Sequence, residues 1–336
     1  MTRLSSLLLV FLSACGFGET SVSASPGGGT PGPSGPTAPT DPVPPPDYGD
    51  RGEDIAFTRN LAIPELIDAI NISKGASIWG VKSDGSGLKA LLDEPGASSL
   101  MPAYSPDKSR IVFASNRGGD HSSDASPPLD LWIMNHDGSA PVQLTKTANA
   151  HEWTPVWSPR GDLIAYSTTS ARAGSDKVWH LDVWVIKPDG TDARLIYAGP
   201  GQDEDPVFSR DGLNLYFMVG NGPSGCFFQI WKASAYGSPS PEVLKDANGQ
   251  AVCGEDPSTS PDGKSLVYAH KGQLYTYDFS SKTITQIGGI EEPWIGTDSR
   301  RITFVRGGQI WVGDLQGGEP KALTEGPSDY FPRWAP

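Results

Sequence analysis

The stretch Pro206-Val207-Phe208-Ser209-Arg210-Asp211-Gly212, followed by the apolar run Leu215-Tyr216-Phe217, decides the fold, because variants of it recur along the chain. Each variant joins a proline, an aromatic or small residue two positions later, and then Ser-Pro-Asp-Gly or a relic of it. Copies begin at Pro102, Pro155, Pro206, Pro257 and, in degraded form, Pro293, and the chain ends on Pro332-Arg333-Trp334-Ala335-Pro336. Successive copies are 36 to 53 residues apart. A repeat of this length indicates similar units that pack against one another.

The sequence after each copy is typical of β-strands. After the copy at Pro102, the apolar run Ile111-Val112-Phe113 is followed by the second run Leu131-Trp132-Ile133-Met134. The pair Asp137-Gly138 and a last strand near Gln143-Leu144-Thr145 come next. Asp-Gly pairs favour tight hairpin turns, because glycine accepts a positive φ. Each unit therefore has four strands once the proline motif is counted as the first. Since one such sheet cannot bury both faces, we predict a ring of sheets, a β-propeller.

These motifs resemble the WD40-like Pro-Asp repeat of the TolB-type propeller family, over nearly all of residues 51–336. The departures from the pattern are Arg160 at the Asp position, Arg210 at the Pro position and Gly296-Thr297-Asp298. No separate N-terminal domain fits before residue 51. The resemblance therefore implies a relative of the propeller rather than the Tol component itself.

The number of copies sets the size of the ring. Five copies give five blades, and Ile55-Ala56-Phe57, Ile78-Trp79-Gly80-Val81 and Leu88 to Leu92 supply three strands of another. Phe331 to Pro336 supplies its missing first strand. We predict an all-β, six-bladed β-propeller of four-stranded blades, closed by N- and C-terminal strands that share one blade. Such closure removes open sheet edges. Seven blades would require a hidden copy.

Composition excludes several classes of protein. The 336 residues include 40 Gly and 31 Pro, which excludes helical bundles, coiled coils and polytopic helical membrane proteins. The net charge of −13 argues against a nucleic-acid partner, because phosphate binding needs a basic face. We expect a monomer.

The N-terminus is predicted to carry an export signal followed by a linker. Met1-Thr2-Arg3 precedes an apolar stretch from Leu4 to Leu12, which is typical of a secretion signal and too short to span a bilayer. Leu12-Ser13-Ala14-Cys15 resembles a bacterial lipobox, so we predict a lipoprotein signal peptide at 1–14 and a lipidated Cys15. The alternative is an ordinary signal peptide with a chance cysteine. Gly16, where inner-membrane retention signals have aspartate, favours the outer membrane if the organism has one.

Residues 15–50 are predicted to be a disordered linker. Residues 16–50 contain nine Pro and eight Gly without any Lys or Arg, so they cannot bury enough apolar surface to fold. The segment would hold the propeller away from the lipid, and a proline-rich ligand for a partner is the alternative. The predicted protein is thus exported, lipid-anchored in the bacterial cell envelope and in contact with the membrane only through its anchor.

Long connections between second and third strands should lie on one face of the ring. They run over Thr58–Ser77, Arg117–Asp130, Ser170–Asp182 and Gly220–Phe228, whereas blades five and six have tight turns near Lys271-Gly272 and Gly307-Gly308. Long loops on one side of a rigid scaffold often carry binding. Neutral variation in loop length is the alternative.

The segments before the first strands, on that same face, are acidic. They contribute nine carboxylates and one histidine: His151, Glu152, Asp203, Glu204, Asp205, Glu255, Asp256, Glu291, Glu292 and Asp329. Clustered like charges should raise some pKa values and attract a cation or a basic partner. The alternative is a solvated acidic rim. Ca²⁺ would find enough oxygens there, although no D-x-[DN]-x-[DN]-G loop is present and no cofactor is otherwise expected.

Cys226 and Cys253 are expected on the same face, and in an exported protein they should form a disulfide rather than stay two free thiols.

Catalytic motifs are absent: the sequence has no G-x-S-x-G, no H-E-x-x-H and no G-x-x-x-x-G-K-[ST].

Two functions remain. The first is a non-enzymatic envelope lipoprotein that binds or scaffolds a protein partner through the acidic, loop-rich face. The second is a propeller enzyme or carbohydrate-binding module, in which channel-mouth carboxylates and His151 act on a glycan. A purely structural surface protein is a third alternative.

Overall fold

Twenty-four β-strands account for the regular structure in the computed structural model, which describes residues 54–59, 75–119, 127–147, 150–169, 180–220, 222–288, 291–296, 298–315, 318–326 and 328–335. The predicted signal peptide at 1–14, Cys15 and the linker at 15–50 lie outside these residues. The described part contains no helix with the length and hydrophobicity of a transmembrane span.

The strands form six antiparallel sheets of four strands, named blades 1 to 6 in chain order. The first three blades contain β1 (Asp54–Arg59), β2 (Ser77–Lys82) and β3 (Lys89–Leu92); β4 (Ser99–Tyr104), β5 (Arg110–Ser115), β6 (Asp130–Asn135) and β7 (Val142–Gln143); β8 (Glu152–Trp157), β9 (Ile164–Thr169), β10 (Leu181–Ile186) and β11 (Arg194–Tyr197). The last three contain β12 (Asp203–Phe208), β13 (Asn214–Val219), β14 (Gln229–Ser234) and β15 (Glu242–Val243); β16 (Glu255–Thr259), β17 (Ser265–His270), β18 (Gln273–Asp278) and β19 (Ile284–Gly288); β20 (Glu291–Ile295), β21 (Arg301–Arg306), β22 (Gln309–Asp314) and β23 (Lys321–Ala322). The predicted all-β, six-bladed propeller is confirmed.

Blade 1 is completed by β24 (Asp329–Trp334), which pairs antiparallel with β1. Ile55 lies opposite Trp334 and Arg59 opposite Asp329. The predicted closure by strands from both ends of the chain is therefore confirmed. It pairs the strand edges that an open arrangement would expose.

The core lies between the blades. Ile111 and Phe113 of blade 2 pack with Ala56 and Ile78 of blade 1, and all four are fully buried. Equivalent apolar clusters join blades 2 and 3, blades 3 and 4, and blades 4 and 5. Successive side chains of a strand point to opposite faces, so a blade buried on both sides needs apolar residues at nearly every position. This requirement explains unbroken runs such as Leu215-Tyr216-Phe217.

The turn after the first strand explains why Ser-Pro-Asp recurs. The Ser105 hydroxyl donates to the Asp107 carboxylate at 2.6 Å, and Ser209 and Ser260 make the same bond to an aspartate two residues later. Blade 3 has Arg160 at that position, and Ser158 instead reaches Asp162 at 2.9 Å. The apparent decay of the motif thus keeps its hydrogen bond through a displaced aspartate.

Candidate functional site

Strand pairing places the long connections and the starts of the first strands at one edge of the ring, here called the loop-rich face. In blade 3, Glu152 of β8 lies opposite Thr168 of β9, and Thr169 lies opposite Leu181 of β10. The β8 start and the β9–β10 connection therefore share an edge. Strand bounds give short second-to-third-strand turns in blades 5 and 6 and longer connections elsewhere, as predicted. Residues 60–74, 120–126, 170–179 and 221 of the long connections lie outside the described part.

The first strands of the six blades (β24, β4, β8, β12, β16 and β20) contact one another around the axis and line a central channel. Each has a β-bulge just before its proline. In β12, Glu204 and Val207 are three residues apart, but their partners Met218 and Tyr216 are only two apart. A bulge leaves one residue without a ladder partner.

The residue before the proline adopts a left-handed backbone in five of these strands. The residues are Met101, Thr154, Asp205, Asp256 and Phe331, with φ between 46° and 56°. Side chains with a Cβ seldom adopt this conformation, which costs about 1–3 kcal/mol. Thr154, Asp205, Asp256 and Phe331 all line a narrow channel cavity of about 20 Å³. The bulge therefore turns this residue toward the axis.

Asp205 of blade 4 and Asp256 of blade 5 line the channel cavity, and the neighbouring Glu204 and Glu255 are near enough for the charges of Asp205, Asp256 and Glu255 to act on Glu204. The side chains of Asp205 and Asp256 are hydrogen-bonded to each other, so one of them carries a proton. Burial, and after it the charge of Asp256, raises the pKa of Asp205 to about 8. The Asp205 carboxyl is thus the donor of this pair at neutral pH.

The same crowding acts on Glu204 and on Asp256. Burial raises the pKa of Glu204 well above its usual value, and the charges of Asp205, Asp256 and Glu255 raise it further. Burial also raises the pKa of Asp256. Fewer negative charges are therefore present in the channel at pH 7 than there are carboxyl groups, and a cation that enters would release protons.

Arg333 is a channel residue that sequence reasoning missed. Its guanidinium lies 4.1 Å from the centre of the Trp294 ring, and its charge opposes the rise in pKa of both Asp205 and Asp256. Arg333 and Trp294 each follow the proline of their first strand, where blades 3 and 4 have Val156 and Val207. The only charged residue at this position, which the other first strands fill with Ala103, Val156, Val207, Ser258 and Trp294, was the signal.

Three predicted members of the acidic cluster are buried outside the channel cavity. They share the position three residues before the proline and are at most 2% exposed: Glu152, Asp203 and Asp329. Glu152 accepts hydrogen bonds from the Leu131 amide at 3.1 Å and from the Thr145 and Thr147 hydroxyls. Asp203 accepts from the Gly199 amide. These carboxylates satisfy buried donors and do not line the channel cavity, although the charge of Asp203 contributes to the raised pKa of Glu204.

Asp329 belongs to the closure of the ring. Arg59 donates to its two oxygens at 2.7 and 2.8 Å, and the guanidinium of Arg59 also lies 4.5 Å from the centre of the Trp79 ring. A bidentate pair of this kind is strong and geometrically specific.

His151 is held beside the β8 start. Its Nδ1 accepts from the Leu129 amide at 3.3 Å, and its ring stacks on Trp153 with centroids 5.8 Å apart. Burial lowers the pKa of His151 to about 4, so the imidazole is neutral at pH 7. Glu291 and Glu292 belong to β20, and their side chains lie outside the described part.

The two cysteines form the predicted disulfide, with Cα atoms 5.1 Å apart. Cys226 lies in the β13–β14 connection and Cys253 just before β16, so the bond ties blade 4 to blade 5 on the loop-rich face. As for metals, the described residues contain no group of three or more His, Cys, Asp or Glu side chains arranged to hold an ion.

Comparison with known proteins identifies relatives of this chain. A Tol-Pal system protein TolB of Anaeromyxobacter dehalogenans is 35% identical over 141 residues, covering 41% of this chain and 28% of that protein. A TolB homolog of Chlorobium luteolum is 27% identical over 153 residues, covering 46% and 31%. The chain thus spans about a third of the length of these curated relatives. No model of a known protein family matches it.

Among solved structures, TolB from Acinetobacter baumannii superposes with a TM-score of 0.64 at 15% identity, over 84% of this chain and 67% of that one. A likeness at this identity shows the fold. Six four-stranded blades closed by both chain ends make the protein a β-propeller with an acidic axial channel. Together with the relatives of that name, the fold identifies the chain as a TolB-like β-propeller.

Proposed function

We propose that this protein is a non-enzymatic component of the bacterial cell envelope whose loop-rich face binds a basic segment of a protein partner. The observation that supports the proposal is the group Glu204, Asp205, Glu255 and Asp256 at the channel. A lysine or arginine entering the channel would stabilise the charged forms of these carboxyls, which crowding now disfavours. Binding would therefore release protons.

The relatives support the setting. They are named as TolB proteins, and the Anaeromyxobacter protein as part of the Tol-Pal system. We accordingly propose an envelope protein as the partner and a comparable assembly as the setting. Lipidation at Cys15, export and location at the outer membrane remain part of this proposal, as does a monomeric state.

The glycan alternative requires a carboxyl and His151 to act together. The neutral imidazole of His151 already accepts the Leu129 amide through Nδ1, and the channel carboxyls belong to blades 4 and 5. These contacts favour the binding proposal over a catalytic one. Ca²⁺ at the face stays an untested expectation.

The test is affinity capture from detergent-solubilised envelopes. The variant Glu204→Gln/Asp205→Asn/Glu255→Gln/Asp256→Asn should lose at least about 90% of the captured partner, a tenfold effect equal to about 1.4 kcal/mol. A matched control replaces four exposed carboxylates of the third-to-fourth-strand turns, at the opposite edge of the ring: Asp84→Asn/Asp137→Asn/Asp189→Asn/Glu319→Gln. Equal capture by both variants would refute the proposal, as would glycan binding that depends on the channel carboxyls.

A further inference from the structure

A second cleft, of about 730 Å³, lies between blades 4 and 5. Its wall includes Ser209, Arg210 and Asp211 of the β12–β13 turn, and Asn214 at the start of β13. That turn joins the ends of the strands opposite to the loop-rich face. The cleft therefore opens on the other side of the ring and is separate from the channel. Its volume is within the range of ligand sites in proteins.

The cleft is basic in an acidic protein. Arg210, Lys232, Lys245 and Lys282 line it, against Asp211 and Glu242. The Asp211 carboxylate is already used, since it accepts the Ser209 hydroxyl at 2.6 Å and the Leu213 amide at 3.0 Å. Within the described residues, none of the four cations lies within 4.0 Å of a carboxylate. A chain with a net charge of −13 thus concentrates cations without anionic partners in one cleft.

Strand register fixes one wall. Tyr216, Lys232 and Glu242 lie opposite one another across β13, β14 and β15, so their side chains share the blade 4 face that turns toward blade 5. On the other side, Phe279 packs on Tyr216 and Tyr277 with ring centroids 5.1 and 5.7 Å apart, and Tyr277 donates its hydroxyl to the Lys245 carbonyl at 2.9 Å. The cleft is therefore formed by packed side chains of both blades.

The remaining features distinguish between anionic ligands. Tyr216 and Tyr277 are 6% and 2% exposed, so their faces are not available for stacking on sugar rings. The outer strand β15 pairs only with β14, but it is two residues long, and the Leu244 carbonyl just beyond it already accepts the Val252 amide. Recognition in the cleft therefore depends on side chains rather than on backbone pairing along the sheet edge. Val243 and Leu244 supply apolar contacts beside the lysines. We propose that this cleft binds an extended acidic peptide segment of a partner protein, with carboxylates set against the lysines.

The experiment uses the full chain and a fluorescein-labelled peptide of five Glu-Val repeats, in which alternation places all carboxylates on one side. Binding is followed by fluorescence anisotropy. Lys232→Glu/Lys245→Glu/Lys282→Glu should raise Kd at least about tenfold, since three attractive contacts become repulsive. The control Lys89→Glu/Lys146→Glu/Lys271→Glu makes the same change of net charge at exposed lysines elsewhere and should leave Kd within about twofold.

Three outcomes overturn the proposal: no binding to the unmodified protein, equal weakening by both variants, or displacement of the peptide by polygalacturonate at lower concentration than by unlabelled peptide. The last would identify an anionic glycan site instead. Thermal unfolding of the cleft variant establishes that it is folded, and Lys232→Gln/Lys245→Gln/Lys282→Gln, which adds no repulsion, should show a smaller loss in the same direction. Because the cleft and the channel are on opposite sides, the variants that test the loop-rich face should bind this peptide normally.

Discussion

The guanidinium of Arg59 and the carboxylate of Asp329 meet in a bidentate ion pair across 270 residues of chain. Asp329 is fully buried, and Arg59 is 17% exposed. The pair lies where β1 and β24 join, so the interaction that closes the ring is electrostatic as well as hydrogen-bonded along the backbone.

Removing one member of this pair should be costly. We expect Asp329→Asn to lower the free energy of unfolding by about 3 kcal/mol, because a largely buried guanidinium loses its anionic partner. Urea denaturation followed by tryptophan fluorescence measures the loss. Arg300→Ala, which removes the exposed pair with Asp314, is the control and should cost less than about 1 kcal/mol. Equal losses would contradict the role assigned to Arg59 and Asp329.

The disulfide should stabilise the joint between blades 4 and 5. Cys226→Ser/Cys253→Ser should lower the free energy of unfolding by about 3–4 kcal/mol, since the bond closes a loop of 27 residues in the unfolded chain. Urea denaturation with and without dithiothreitol is the measurement. The reductant should destabilise the unmodified protein by a similar amount and leave the double variant unaffected. An unmodified protein insensitive to complete reduction would disprove this prediction.

The Asp205–Asp256 pair should make stability depend on pH. The pKa of Asp205 is raised from 3.8 to about 8, so between these values the folded state holds a proton that the unfolded state has lost. Stability therefore falls as pH rises from about 4 to 8, by at most about 1.4 kcal/mol per pH unit for one proton. In Asp205→Asn the amide donates to Asp256 in place of the carboxyl, and this part of the slope should disappear.

Chemical denaturation at intervals between pH 4 and pH 8 provides the comparison. Asp278→Asn serves as the control, because hydrogen bonds from Ser280 and Ser281 lower the pKa of Asp278 to about 2 and place its titration below this range. A slope that persists unchanged in Asp205→Asn would show that Asp205 is ionised in the folded protein.

The displaced aspartate of blade 3 should couple two blades. Asp162 accepts the Ser158 hydroxyl in its own turn and the Tyr236 hydroxyl of blade 4 at 2.6 Å. Asp162→Ala should cost about 1–3 kcal/mol, because both hydroxyls lose a charged acceptor. A double-mutant cycle with Tyr236→Phe should give a coupling energy of at least about 0.5 kcal/mol. Additive effects would show that the bond between the blades contributes nothing.

Much of the fold could be predicted because proline and the Ser-Pro-Asp turn mark the same point in each blade. The closure followed from counting strands, since Ile55 to Phe57 lacked a first-strand partner and Trp334 lacked a blade. Apolar runs bounded by turns predicted the remaining strands. These are local signals, and each unit repeats them.

The candidate site was less accessible to sequence reasoning. Residues one and three positions before the proline should share a face under simple alternation, as Asp203 and Asp205 would. The left-handed bulge at Asp205 breaks the alternation, so Asp205 lines the channel while Asp203 is buried among backbone donors. Asp203 and Asp205 are thus two positions apart in the sequence but lie in different environments. The contribution of Arg333 depended on the closure bringing blade 1 beside blade 6.

The order of strands in blade 1 has a consequence for biosynthesis. β24 is the last of the described strands, so the ribosome delivers the partner of β1 after all six blades have begun to form. Until then β1 presents an unpaired edge to other nascent chains. A stop codon before Asp329 would leave an incomplete ring with that edge permanently open, whereas the full-length polypeptide covers it on completion.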